Sequence, residues 1–216
     1  MALLVPCSAS CRTPSAVIVV TVTVPAKAAL RTRLLAARKA VSDPVRTEEA
    51  DAVRTALLNW IRGQANTVCA YVPVGSEPGS VRMLDELHEA GLRVLLPVAI
   101  SAGPDRTALP LRWARYVPGE LARADFGLLE PTGDRLPAEA LSEAQVVIVP
   151  ALAVDRSGAR LGRGAGFYDR SLPLRGAGAA LIAIVRDDEF VDELPAEPHD
   201  VAMTHVLTPG GGVQRL

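Results

Sequence analysis

Lysine is nearly missing from this chain: across 216 residues only Lys27 and Lys39 occur, and arginine supplies the other basic side chains. The 23 basic residues are balanced by 24 acidic ones, and the formal net charge of -1 excludes a broad basic field for sequence-independent nucleic-acid binding. Cysteine is equally scarce. Cys7, Cys11 and Cys69 are odd in number and have no metal-ligand spacing, which excludes a disulfide framework and points to a reducing, cytoplasmic setting. Histidine is confined to His88, His199 and His205, none in a triad-like setting, so a histidine-assisted nucleophile is not expected. There are no internal repeats or heptads. The apolar run at 16–24 is too short to cross a bilayer as a helix, and it ends at Pro25 where a signal peptide would carry a small-residue cleavage site.

What is present describes an ordinary globular protein, with 49% hydrophobic and 22% charged residues and enough length for one substantial domain. Residues 1–25 read as an extension or a start assigned too far upstream, 26–209 as a single domain, and 210–216 as a flexible tail. Helical spacing runs over 26–41, with Lys27, Arg31 and Arg38 close to a single basic stripe; Lys27 and Arg31 are four residues apart, so that both reach one anion or together form a solvated basic face. A second helix starts at Asp43 and Pro44 and carries Val53, Leu57, Trp60 and Ile61 as its core stripe. Nearly continuous apolar runs at 67–74, 92–98, 145–150 and 179–185 are those of strands buried on both faces of a parallel sheet. With helices between them they predict an α/β fold, mainly parallel and flanked by helices. Ligands of such sheets bind beyond the carboxyl ends of the strands, where Glu77 stands in the loop after the first. Trp113 either stacks on a ring substrate or packs in the core.

The segment 160–170, Arg-Leu-Gly-Arg-Gly-Ala-Gly-Phe-Tyr-Asp-Arg, is the most distinctive. Its glycines allow positive φ and close approach to the backbone, and successive N–H groups in such a turn attract anions. Arg160 and Arg163 add charge-assisted donors for phosphate. Its spacing is neither the dinucleotide fingerprint nor the Walker A pattern. Asp155 either orients one of its arginines or makes a turn with Ser157 and Gly158. Asp169 and Asp200 are the carboxylates to pair around a divalent cation, unless Asp169 caps a helix and Asp200 a turn.

Taken together and in order, Lys27-Ala-Ala-Leu-Arg31, Tyr71-Val-Pro-Val with Glu77, Gly127-Leu-Leu-Glu130-Pro131, Pro150-Ala-Leu-Ala-Val-Asp155, the 160–170 segment and His199-Asp200 resemble the 5-formyltetrahydrofolate cyclo-ligase family, also called methenyltetrahydrofolate synthetase. The resemblance covers roughly residues 27–208. It implies a three-layer α/β sandwich and a monomeric enzyme that uses ATP and Mg2+ to convert 5-formyltetrahydrofolate into 5,10-methenyltetrahydrofolate, with no nucleic-acid or membrane partner. By position it implies that Lys27, Arg31, Arg160, Leu161, Gly162, Arg163, Gly164, Ala165, Gly166, Phe167 and Tyr168 bind ATP. Val72 and Glu77 would contact the folate, with Arg163, Gly164, Ala165, Gly166 and Phe167 shared between the two ligands. Arg163 and Asp169 would be catalytic, and Asp169 and Asp200 would hold the metal. This chain departs from many members in having Phe167 before Tyr168 in place of two tyrosines, and Val154 in place of phenylalanine, so no hydroxyl acts at 167.

Overall fold

The computed structural model of the chain describes residues 24–124, 127–197 and 200–216, the first three by backbone alone. The expected extension therefore lies, up to residue 23, outside the described residues, as does His199. Helix α1 (Val24–Ala40) and helix α2 (Asp43–Ile61) are divided at Ser42, whose extended backbone opens α2 with Pro44 in the first turn, where a missing N–H breaks no helix bond. The capping position is thus Ser42, and Asp43 is the first helical residue, its charge at the positive end of the helix dipole. Strand β1 (Thr67–Cys69), helix α3 (Val81–Glu89) and strand β2 (Arg93–Val98) form the parallel unit that the spacing predicts. A small hairpin, β3 (Ser101–Ala102) and β4 (Thr107–Ala108), precedes β5 (Arg112–Arg115), β6 (Leu121–Arg123), β7 (Leu129–Pro131) and β8 (Arg135–Leu136). The remaining elements are β9 (Val146–Pro150), β10 (Ala153–Asp155), β11 (Arg160–Leu161), helix α4 (Phe167–Ser171), β12 (Ala180–Ile184), β13 (Phe190–Val191), β14 (His205–Thr208) and β15 (Gly212–Arg215).

Alternation builds three layers. Successive side chains of β9 point to opposite faces, so Val146 and Ile148 join one apolar cluster and Val147 and Val149 the other. The first cluster is covered by Val53, Leu57 and Ile61 of α2 and Met83, Leu84 and Leu87 of α3. The second is covered by Leu141 from a short 3-10 turn and by Leu172 just past α4. Each of these fully buried side chains stabilises the fold by about 1.5–3 kcal/mol relative to exposure. The eight-stranded sheet runs β15, β14, β12, β9, β1, β2, β5, β8, parallel from β14 through β2 and antiparallel at both margins. Helix α1 packs elsewhere, setting Leu30, Leu34 and Leu35 against Leu152, Leu161 and Leu194 at a second sheet of β11, β10 and β13.

Two expectations change. The first strand is shorter than the apolar run 67–74, because pairing stops at Cys69 and the buried residues Ala70, Tyr71 and Val72 continue as a loop whose Tyr71 hydroxyl donates to the Pro78 carbonyl at 3.0 Å. The terminal segment read as a flexible tail instead pairs with β14 from Thr208↔Gly212 to His205↔Arg215. The exposed edge of β14 offers backbone groups that a following strand satisfies, and Thr208 Oγ1 accepts the Gly211 N–H at 3.0 Å to close the turn. Trp113 is a core residue, 1% exposed.

Asp155 makes the turn and orients no arginine. Its Oδ1 accepts the N–H groups of Ser157 and Ala159 at 2.8 and 2.9 Å, and Oδ2 accepts that of Leu194 at 2.8 Å. At Gly158 the backbone has φ +88°, and a Cβ there would overlap the Met203 carbonyl oxygen. Gly158→Ala is therefore expected to cost about 1–3 kcal/mol, read as a lower urea midpoint at unchanged slope.

Candidate active site

Strand order reverses between β1 and β9: the chain runs outward from β1 through β2, then returns to place β9 on the other side of β1. At such a switch point the loops beyond the strands part and leave a crevice. Here the crevice is a cleft of about 360 Å³ bordered by Val72, Val74 and Glu77 after β1, Pro97 and Ala99 at the end of β2, Pro150 and Ala151 at the end of β9, and the glycine loop.

The glycine loop is held open by local geometry. Gly164 and Gly166 have φ +102° and +79°, conformations that side-chain-bearing residues rarely adopt, and Gly166 leads directly into α4. Arg160, only 7% exposed at its side chain, spans the gap beneath: Nη1 donates to the Pro150 carbonyl at 3.2 Å and Nη2 to Asp169 Oδ1 at 2.5 Å. Arg160 thus orients Asp169, which lies in the first turn of α4. Arg163 reaches across the cleft, its Nε 3.0 Å from Glu77 Oε1, while Glu77 Oε2 accepts the Val74 N–H at 2.9 Å. The packing of α1 brings Arg31 to the same loop, where its Nε donates to the Gly162 carbonyl at 2.9 Å. Tyr168 also lines the cleft; its hydroxyl is buried with no hydrogen-bond partner, and burial followed by the nearby Glu77 charge holds its pKa well above the usual phenol range. An unsatisfied buried hydroxyl in a cleft wall is a place for a ligand atom.

The remaining anticipated residues are distributed unevenly. Lys27 lies near carboxylates, with Nζ 2.8 Å from Glu197 Oε1 and 3.7 Å from Asp200 Oδ2. Asp200 also accepts the Glu197 N–H at 2.8 Å. Asp169 and Asp200 therefore have different partners, Arg160 for one and Lys27 for the other. Among the described residues no three His, Cys, Asp or Glu side chains converge as a metal cage. The acid at the cleft nonetheless fits Mg2+, which binds through one or two carboxylates and completes its shell with phosphate oxygens and water.

Sequence reasoning missed part of the wall. Pro97 and Ala99 were accessible to it, since they end a strand of a parallel sheet; Arg106, at the tip of the β3–β4 hairpin, carried no local signal and enters the cleft only through the fold. Glu130 fastens this side by accepting the Ala99 N–H at 2.8 Å. The supposed basic stripe of α1 divides: Arg31 faces the glycine loop, whereas Arg38 is 1% exposed and paired with Glu189.

A parallel α/β sheet whose switch point joins a glycine- and arginine-lined anion cradle to an apolar recess defines an enzyme that brings an anionic ligand against a second, less polar one. Comparison with known proteins narrows this class. The chain belongs to the 5-formyltetrahydrofolate cyclo-ligase family, whose model matches residues 23–209. It is 59% identical over 193 residues to the 5-formyltetrahydrofolate cyclo-ligase of Mycolicibacterium smegmatis, an alignment covering 88% of this chain and 97% of that one. The enzyme of the same name from Escherichia coli K12 is 34% identical over 149 residues, 67% of this chain and 79% of the relative. Among solved structures, Aquifex aeolicus 5,10-methenyltetrahydrofolate synthetase superposes with a TM-score of 0.72 at 25% identity, covering 88% of this chain and 92% of that one. The synthetase of Mycoplasma pneumoniae shares the fold at a TM-score of 0.65 and 20% identity, covering 83% and 96%.

Proposed function

We propose that the protein converts 5-formyltetrahydrofolate into 5,10-methenyltetrahydrofolate with ATP and Mg2+, releasing ADP and phosphate. The observation that carries this reading is the contact of Glu77 with Arg163. A carboxylate able to accept N–H groups of a pteridine and a guanidinium able to grip a phosphate already meet across one cleft, so ligands held at each would touch. Lys27, Arg31 and residues 160–168 bind the nucleotide in this reading, Val72 and Glu77 the folate, and residues 163–167 both.

The formyl oxygen is amide-like and leaves poorly. Transfer of the γ-phosphoryl group forms a phosphorus–oxygen bond to that oxygen as the bond to ADP breaks. The folate N10 then attacks the formyl carbon, the carbon–oxygen bond breaks, and phosphate departs with the N10 proton, leaving carbon bonded to both nitrogens. For phosphoryl transfer a protein chiefly positions groups and stabilises charge. Arg163 at the crossing point supplies a charge-assisted donor to the transferred group, and Arg160 keeps Asp169 directed at the cleft. Mg2+, held by Asp169 and Asp200, would neutralise charge on the nucleotide phosphates.

We further propose a monomer acting in the cytoplasm, a reducing setting in which the buried Cys69 thiol stays free. No helix among the described residues is long and apolar enough to cross a membrane. The test is optical. Purified protein with 5-formyltetrahydrofolate, ATP and Mg2+ is expected to generate the methenyl chromophore with one ADP per product, and chelation of the metal or omission of ATP is expected to reduce the rate to background. No product, or a rate indifferent to ATP, ends the reading.

A further inference from the structure

A second cleft, about 390 Å³, borders the segment 75–80, and Glu77 lines both clefts. Its walls gather Arg38 from α1, Arg46 and Glu49 from α2, Ser80 and Arg82 at the start of α3, and Arg186 beyond β12. None of these residues belongs to the site described above.

The acids here are already matched. Glu49 Oε2 accepts from Arg186 Nη1 at 2.6 Å, Asp51 pairs with Arg54 at 3.3 Å, and Glu77 pairs with Arg163. The donors are in surplus. Arg46 directs Nε and Nη2 to a neutral acceptor, the Val41 carbonyl, at 2.9 and 2.7 Å, and its nearest acid, Asp43, is 3.8 Å away with a side chain 94% exposed. Arg38 is 1% exposed, with Nε and Nη2 on Glu189 and Nη2 also on the Ala151 carbonyl, yet Nη1 is buried without a hydrogen-bond partner. A buried, charged donor left unpaired is unfavourable, and an acceptor bound in the cleft removes that cost. The cleft also takes in the N-terminal turn of α3, whose amide groups and dipole favour an anion.

We propose that this second cleft binds a phosphoryl group, either inorganic phosphate or a small phosphate monoester, through Arg38 Nη1, Arg46 and the first turn of α3. The site is independent of the reaction proposed above, since it uses neither the glycine loop nor Asp169. Calorimetric titration of the full-length protein with inorganic phosphate is expected to show a binding event that Arg46→Gln weakens about tenfold, the scale of one charge-assisted hydrogen bond. Arg31→Gln, which loosens the glycine loop at the Gly162 carbonyl and touches no residue of the second cleft, is expected to leave that event unchanged. A parallel titration with glycerol 3-phosphate separates the two sources, tighter binding identifying an ester and equal or weaker binding free phosphate. Crystals soaked in tungstate provide the check that does not depend on a variant folding, with an anomalous peak expected within hydrogen-bonding reach of Arg38 Nη1. An Arg46→Gln isotherm identical to that of the wild type, or a cleft without tungstate, overturns the proposal, and neither result bears on whether the first cleft makes methenyltetrahydrofolate.

Discussion

Asp169→Asn is expected to lower kcat by about two to three orders of magnitude, while affinity for the folate changes by less than about threefold. The substitution keeps size and hydrogen-bonding capacity but removes the charge that faces the cleft from the first turn of α4. It also weakens the 2.5 Å contact that fixes Arg160, and with it the link from the glycine loop to the Pro150 carbonyl at the end of β9. In the proposed reaction both effects act on groups facing the transferring phosphoryl, and a contribution made only in the transition state appears in kcat. The folate contacts proposed for Val72 and Glu77 lie on the loop after β1 and are expected to stay intact. Steady-state rates combined with calorimetric binding of 5-formyltetrahydrofolate separate the terms. A raised KM at unchanged kcat would place Asp169 in ground-state binding and remove it from the chemistry.

Glu189→Gln is expected to destabilise the protein by about 3–5 kcal/mol, a large share of the stability of a domain this size. Arg38 and Glu189 have side-chain exposures of 1% and 3% and meet through two contacts, Nε to Oε1 at 2.6 Å and Nη2 to Oε2 at 2.7 Å. Glu189 Oε2 additionally accepts the Arg186 N–H at 2.8 Å. Neutralising one partner leaves the other charge largely desolvated. The double replacement Arg38→Met with Glu189→Met removes both charges and is expected to recover most of the loss. Urea unfolding of Arg38→Met, Glu189→Met and the double variant closes the cycle, and additive losses would show that the pair is not coupled. Because Arg38 also donates to the Ala151 carbonyl at 2.7 Å, and Ala151 lines the active cleft, the single variant is expected to lose activity before it unfolds globally.

Much of this protein is written in short-range pattern. The apolar run ending at Pro150 specifies a strand buried on both faces because alternate residues must each meet a covering layer, and Val146 to Val149 do so. Ser42 with Pro44 divides α1 from α2, and Pro173 turns the end of α4 into a 3-10 segment, since backbone donors and φ values are properties of single residues. The alternating glycines announced a loop open to anions. Other features were hidden because they depend on partners distant in the chain. Arg38 looked like one more member of a basic stripe until Glu189 was brought to it, and residues 210–216 looked like a tail until β14 offered an edge.

By itself, then, the sequence determined the first two helices, the central buried strands, the mainly parallel α/β class, the glycine loop and the family, all of which depend on residue type and near-neighbour spacing. The tertiary structure alone decided which cations meet the glycine-loop cleft and which pair elsewhere: Arg163 opposite Glu77, Arg31 on the Gly162 carbonyl, Lys27 beside Glu197, and Arg38 buried on Glu189. Arginine and lysine read alike in a sequence whatever their burial, and only the packing of α1 and the order of strands in the sheet sets the distances on which their charges act.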